Sequence, residues 1–418
     1  MEAVKNQIKA SFDYTKAFVK WLIIAAVVGA VGGVVGSIFH ESIEYVTHLR
    51  TENNWLILLL PFGGLIIALL YRAFGKKGKI DTNRVIEAVQ TDNNVPLIMT
   101  PLIFVGTVIT HLFGGSAGRE GAALQLGGSL GYNIGKVFRL DKNDMHIIVM
   151  SGMSAVFAAL FGTPLTAAFF AIEVISVGVI HYAALVPCII SSIIAYEIAL
   201  FGFGIMPVSF AVAQIDISAE VLLKVIVLAV LCALVSILFC SVIKKAEQCI
   251  KKLIPNIYLR ALMGGAAVVL LTVAVQTTDY NGAGMNVIEN ALAGNAKPWA
   301  FAVKILFTAI TIAVGFKGGE IVPGFFIGST FGCITGSLLG LDPGFAAAIG
   351  FVAVFCGVVN CPFASVLLAI EVFGGNSILL FAIACGVSFM MSGCFGLYKS
   401  QKFLYSKIKE EYVDIDLK

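Results

Sequence analysis

At 418 residues, with 59% of them hydrophobic, only 13% charged and a net charge of +3, the chain is too apolar for a water-soluble globule, in which about a quarter of the residues carry charge. A mean hydropathy of +0.95 points to a polytopic membrane protein. The apolar runs are too long for the alternation of a porin-like barrel, so helical spans are expected.

In chain order, the start MEAVKNQIKASFDYTKAFVKW is a basic amphipathic stretch that leads into the first span and carries no cleavable signal pattern. Apolar segments follow near 19–40, 54–74, 96–113, 122–138, 146–161, 164–200, 219–243, 258–275, 299–316, 323–340, 345–373 and 377–396. A perpendicular crossing needs about 20 apolar residues. Several segments are shorter, or are interrupted by Pro164, Pro187, Pro323 and Pro362, which predicts tilted, re-entrant or half-length helices. Basic residues gather in MEAVKNQIK, 71–79, 243–252 and 398–411, and the positive-inside rule places both termini in the cytoplasm. The nine cysteines form no CxxC pair or Cys/His cluster and read as small apolar residues.

The chain repeats itself. IDTNRVIEAVQ (80–90) matches GAGMNVIENAL (282–292), and GREGAALQLGGSLG (118–131) matches GGEIVPGFFIGSTFG (318–332). GTPLTAAFFAIEV (162–174) likewise matches NCPFASVLLAIEV (360–372). The matches are collinear, so the expected organisation is an N-terminal segment 1–18, a first repeat 19–213, a second repeat 214–397, and a C-terminal helix and tail over 398–418. Membrane proteins built from repeats with broken helices place their substrate site at the repeat interface.

The glycine-glutamate segments are where chemistry is expected. Gly114, Gly115, Gly118 and Gly121 let the main chain approach a ligand closely, and AALQLGGSLG then starts a helix whose first amides lack internal partners. Such a helix start attracts anions, and Glu120 lies where its own carboxylate can take the anion's place. GGEIVP repeats the arrangement around Glu320, with Pro323 suited to a first helical turn. Two helix starts, one per half, can thus face one anion. The plainer alternative is that the glycines serve helix packing, with Glu120 paired to Arg119 or Lys317 and Glu320 paired to Lys317. An ionisable residue within a span nevertheless marks a functional site by default.

At these residues the sequence resembles the CLC family of anion channels and proton-coupled anion exchangers, over nearly its whole length. GREG (118–121) is similar to the family's GREGP, with Ala122 in place of proline; GGEIVP (318–323) stands at the place of GxFxP; FGTPLTAAFFAIEV (161–174) resembles the NAPLAGxxFxxEE helix; and GLYKSQ resembles the segment carrying the pore tyrosine. The resemblance implies an all-α CLC-type fold of two repeated halves. It implies that Glu120 gates and takes a proton from the extracellular side, and that the amides of Arg119, Glu120, Gly121, Ile321 and Val322 line the anion sites. It also implies that Tyr398, preferred to Tyr405, offers a hydroxyl to the central anion.

The family's GSGIP segment is GKIDTNRVIE here, so the alignment puts Asp81, Thr82 or Asn83 at the anion-facing place; Thr82 or Asn83 suits an anion better than a bare aspartate, and Asp81 suits a helix cap. The internal proton-transfer glutamate of many exchangers is replaced by Val174, while Glu320 adds a carboxylate to the second anion-facing segment. A carboxyl group facing an anion away from water can carry protons. This pattern resembles the fluoride/proton antiporter branch, although that branch typically has methionine where this chain has the DTN run.

Proton-coupled fluoride export is therefore expected ahead of chloride/proton exchange, with a passive chloride channel third. The expected partners are a halide anion (fluoride or chloride), protons, the lipid bilayer of the cell membrane and, by resemblance, a second copy in a homodimer. Neither a nucleic-acid partner, a cofactor, a metal nor an enzymatic activity is expected: the five histidines are scattered, no HExxH-like spacing occurs, and neither GxGxxG nor GxxxxGK[ST] is present. Glu173 and Glu371, at matching repeat positions, read as structural.

Overall fold

The computed structural model describes residues 2–75, 81–91 and 93–417. Lys76, Lys77 and Lys79 of the second basic stretch, and Ile80 of the first repeat motif, lie outside them. Among the described residues sixteen α-helices form two series of eight. The first is α1 (Glu2–Glu52), α2 (Leu60–Phe74), α3 (Thr82–Gln90), α4 (Met99–Leu112), α5 (Glu120–Val137), α6 (Lys142–Phe161), α7 (Pro164–Glu173) and α8 (Leu185–Glu197). The second is α9 (Ala219–Leu253), α10 (Ile257–Val275), α11 (Met285–Leu292), α12 (Ala300–Ala313), α13 (Ile321–Leu338), α14 (Pro343–Val359), α15 (Pro362–Phe373) and α16 (Ile378–Met391). Seven helical stretches among the described residues are long and apolar enough to cross a membrane, and six apolar helices of 10–17 residues are shorter.

The two series share their local grammar. Asp141 caps α6 by accepting from the Asp144 amide at 2.9 Å, and Asp342 caps α14 by accepting from the Phe345 amide at 2.8 Å. Helix α6 ends on left-handed Gly162 and α14 on left-handed Asn360, and Pro164 and Pro362 then open α7 and α15. Close packing repeats as well: a Cβ at Gly127 would lie 2.1 Å from the Gly152 carbonyl oxygen, and one at Gly328 would lie 2.3 Å from that of Gly350. The apolar stretches 164–200 and 345–373, which read as continuous, are each two helices. In the second, the Asn360 turn and Pro362 make the break.

The repeats meet through reciprocal contacts. Glu173, at the end of α7, accepts from the Phe363 and Ala364 amides at 3.2 and 2.9 Å in the first turn of α15. Glu371, near the end of α15, accepts from the Leu165 and Thr166 amides at 2.9 and 2.8 Å and from the Thr166 hydroxyl at 2.6 Å, in the first turn of α7. Like residues touching each other's counterparts is the contact pattern of a two-fold relation between the halves. Each carboxylate satisfies orphan amides at the start of the opposite helix.

One expectation is corrected. Residues 398–418 form no C-terminal helix among the described residues. Instead β2 (Lys402–Tyr405) pairs parallel with β1 (Ser176–Val177) and antiparallel with β3 (Tyr412–Asp416). The physical reason lies in the β-favouring Phe403, Tyr405, Tyr412, Val413 and Ile415, joined by a polar turn. The start of this segment is pinned to both halves by buried Gln401, whose amide donates to the Val174 and Val359 carbonyls at 3.0 and 2.9 Å.

Candidate functional site

The segments ahead of α5 and α13 lie side by side and antiparallel. The Gly118 and Gly319 amides each donate to the other's carbonyl at 2.7 Å. Gly318 has φ +152°, where side chains are strained, and a Cβ at Gly319 would lie 2.4 Å from the Gly121 nitrogen. Only glycine lets two backbones approach this closely.

The Glu120 carboxylate is fully buried at this junction. Its Oε2 accepts from the Arg119 amide at 3.0 Å and from the Val322 amide at 3.3 Å, one amide from each repeat. Its Oε1 has no partner among the described residues. A Cβ at Gly118 would stand 2.3 Å from Oε2, so the glycine leaves the room into which the carboxylate folds. An acidic oxygen therefore sits where two helix starts present amides, a position equally suited to a free anion.

The Arg119 side chain turns away: Nη1 lies 4.0 Å from Glu44 Oε1, which also meets His40 Nε2 at 3.0 Å. The Lys317 ammonium lies 4.2 Å from the centre of the Tyr71 ring. Among the described residues neither cation makes an ion pair with Glu120 or Glu320, so the simple pairing alternative does not hold. The half-buried Glu320 is the N-cap residue of α13. A Cβ on Gly121 would lie 3.6 Å from Glu320 Oε2, so the second carboxylate borders the first anion-facing segment.

Helix α3 brings a third helix start. Asp81 caps it, accepting from the Arg84 amide at 3.1 Å. Thr82 is buried, donates its hydroxyl to the Gly121 carbonyl at 3.3 Å and accepts from Gln125 Nε2 at 3.1 Å. Asn83 is turned to the C-terminal strap, where its Oδ1 accepts from the Ser400 amide at 3.0 Å. Of the three residues in the DTN run, Thr82 stands beside the glycine-glutamate junction. Tyr398 is buried and its hydroxyl has no partner among the described residues. Tyr405 is 43% exposed and packs edge-on against Tyr412. The Ile321 and Val322 side chains are buried, leaving the start of α13 to present its amides.

Sequence reasoning missed Gln125. It is buried one turn beyond Gly121, and its Nε2 donates to the Gly121 carbonyl at 3.3 Å while Oε1 has no partner among the described residues. The visible signal was an isolated amide inside AALQLGGSL. No group of three or more His, Cys, Asp or Glu residues among the described residues could hold a metal ion.

A junction of helix starts between two repeated halves, guarded by a carboxylate, defines a membrane protein for moving anions. The chain belongs to the voltage gated chloride channel family, whose model matches residues 63–393. It is 35% identical over 403 residues to the chloride/fluoride channel protein of Pseudomonas syringae pv. tomato, covering 94% of this chain and 89% of that one. It is 24% identical to the H(+)/Cl(-) exchange transporter ClcA of Vibrio vulnificus, covering 90% and 87%. Among solved structures, a CLC-type fluoride/proton antiporter superposes with a TM-score of 0.87 at 31% identity, covering 92% of this chain and 98% of that one. A slow cyanobacterial Cl-/H+ antiporter gives 0.78 at 20% identity, covering 89% and 94%, a likeness of fold alone. The chain is thus an all-α, multi-span CLC anion transporter, in a family of ion transporters and channels.

Proposed function

We propose that this chain is a proton-coupled halide antiporter that exports fluoride across the cell membrane, with both termini in the cytoplasm. The observation that carries the reading is the Glu120 carboxylate accepting amide protons from the α5 and α13 segments together. A halide at that place takes the same amides, and Glu120 leaves when it is protonated. Glu120 is the gate and external proton carrier. The amides of Arg119, Gly121, Ile321 and Val322 hold the anion, with the Thr82 and Tyr398 hydroxyls beside it and Asn83 supporting the strap. Glu320, on the second helix start, carries protons where Val174 replaces the internal glutamate of many exchangers.

Fluoride is favoured over chloride because the 31%-identical solved structure is described as a fluoride/proton antiporter. A passive channel is the second reading, favoured by the description of the Pseudomonas relative as a channel protein. By resemblance to the family, the chain works as a homodimer with one pathway per subunit, joined by apolar helix faces. Vesicle flux with fluoride, chloride and pH recorded together tests the reading. Fluoride-selective flux with opposing proton movement supports it; halide flux without protons favours the channel.

A further inference from the structure

A second polar site lies away from the glycine-glutamate junction, at the far ends of α3 and α5. A cleft of about 650 Å3 opens between the end of α2, the body of α3, the loop 93–98 and the end of α5. Arg84 and Lys136 line it and converge on one residue. Arg84 Nε donates to the Asn94 backbone carbonyl at 3.0 Å, and Lys136 Nζ donates to the Asn94 side-chain oxygen at 2.8 Å. Asn133, also lining the cleft, is held by the Val95 and Ser129 carbonyls at 3.2 and 2.7 Å. No carboxylate among the described residues pairs with either cation, so among them two positive charges share the cleft.

The rim of the cleft is apolar and outward-facing: Phe74 is 55% exposed, Leu97 54%, and neighbouring Val137 80%. In a membrane protein such side chains meet acyl chains. The cleft lies on the face where the first part of α1 meets the start of α6, through the Lys20–Asp144 ion pair. The positive-inside rule assigns that face to the cytoplasm. A basic pocket between helices, set against lipid-facing apolar residues at the cytoplasmic boundary, has the composition that recognises an anionic headgroup.

We propose that this cleft binds the phosphate of an anionic phospholipid from the inner leaflet. Arg84 and Lys136 pair with the phosphodiester, the Asn94 and Asn133 amides border the headgroup, and Phe74 and Leu97 flank the acyl chains. A phosphate anion matches the fork of Arg84, and the exposed apolar rim favours a lipid over a soluble phosphate. The bound headgroup joins α3 to α5. These are the helices that carry Thr82 and Glu120, so the lipid braces the first-half side of the anion junction from a distance.

The test is a titration of the full-length protein in neutral detergent with dioleoyl phosphatidylglycerol or dioleoyl phosphatidylcholine, followed by native mass spectrometry and thermal unfolding. Phosphatidylglycerol is expected to bind and raise Tm, and phosphatidylcholine to do neither. The variant R84Q/K136Q is expected to lose roughly thirtyfold in affinity, from about 1 kcal/mol per basic residue near an anionic headgroup. The variant K245Q/K252Q, which removes two charges elsewhere, is expected to bind as wild type. If R84Q/K136Q fails to fold, K136Q alone, at an exposed position, is expected to lose roughly five- to tenfold. Equal binding by the cleft variant and the control overturns the proposal. Competition by inorganic phosphate or glycerol phosphate at equal concentration overturns the choice of a lipid.

Discussion

The substitution Glu120→Gln probes the junction most sharply. The carboxylate holds two backbone amides, Arg119 N and Val322 N, in a fully buried site. Charge-assisted hydrogen bonds contribute roughly 1.5–3 kcal/mol each and neutral ones about 0.5–1.5. Replacing the carboxylate by an amide of equal size therefore weakens the occupant by about 1–1.5 kcal/mol per bond, or about 2–3 kcal/mol for the pair. A halide competing for those amides gains the same amount, roughly 30- to 150-fold in apparent affinity. The glutamine releases no proton, so coupled proton movement ceases while halide passes or stays bound. Calorimetric halide binding in detergent and a paired halide and pH recording in vesicles measure the two effects. Unchanged halide affinity together with intact proton coupling would refute the competition between carboxylate and anion.

Other perturbations follow from the same geometry. Glu320→Gln is expected to reduce proton movement at preserved halide binding; wild-type stoichiometry in that variant would remove Glu320 from the proton path. Glu371→Ala strips three hydrogen bonds from the first turn of α7 and is expected to cost about 2–4 kcal/mol, read as a lowered unfolding temperature in detergent. An unaltered Tm would show that the reciprocal cap is dispensable. Gly127→Ala places a methyl 2.1 Å from the Gly152 carbonyl oxygen, forcing α5 and α6 apart at a cost of about 1–3 kcal/mol. Folding as stable as wild type would contradict the stated packing.

The repeat was legible because both copies keep the residues that set helix ends and ion sites. Pro164 and Pro362 begin helices, and Gly118 and Gly319 pair backbone to backbone. Glu173 and Glu371 end matching segments, and their amide partners explain the shared AIEV motif. Other features depend on contacts remote in sequence. Asn83 Oδ1 accepts from the Ser400 amide and the Arg119 guanidinium lies near Glu44 on α1, contacts that neighbouring residues alone do not announce. The C-terminal strands were missed because β2 needs β1 as its partner, more than 200 residues earlier in the chain. A two-residue strand such as β1 leaves no periodic signal.

The most direct measurement is the position of a bound halide. Crystals of the Glu120→Gln variant grown in fluoride and examined at high resolution should show an ion within hydrogen-bonding distance of the Arg119 and Val322 nitrogens. An empty junction at saturating fluoride would contradict the account.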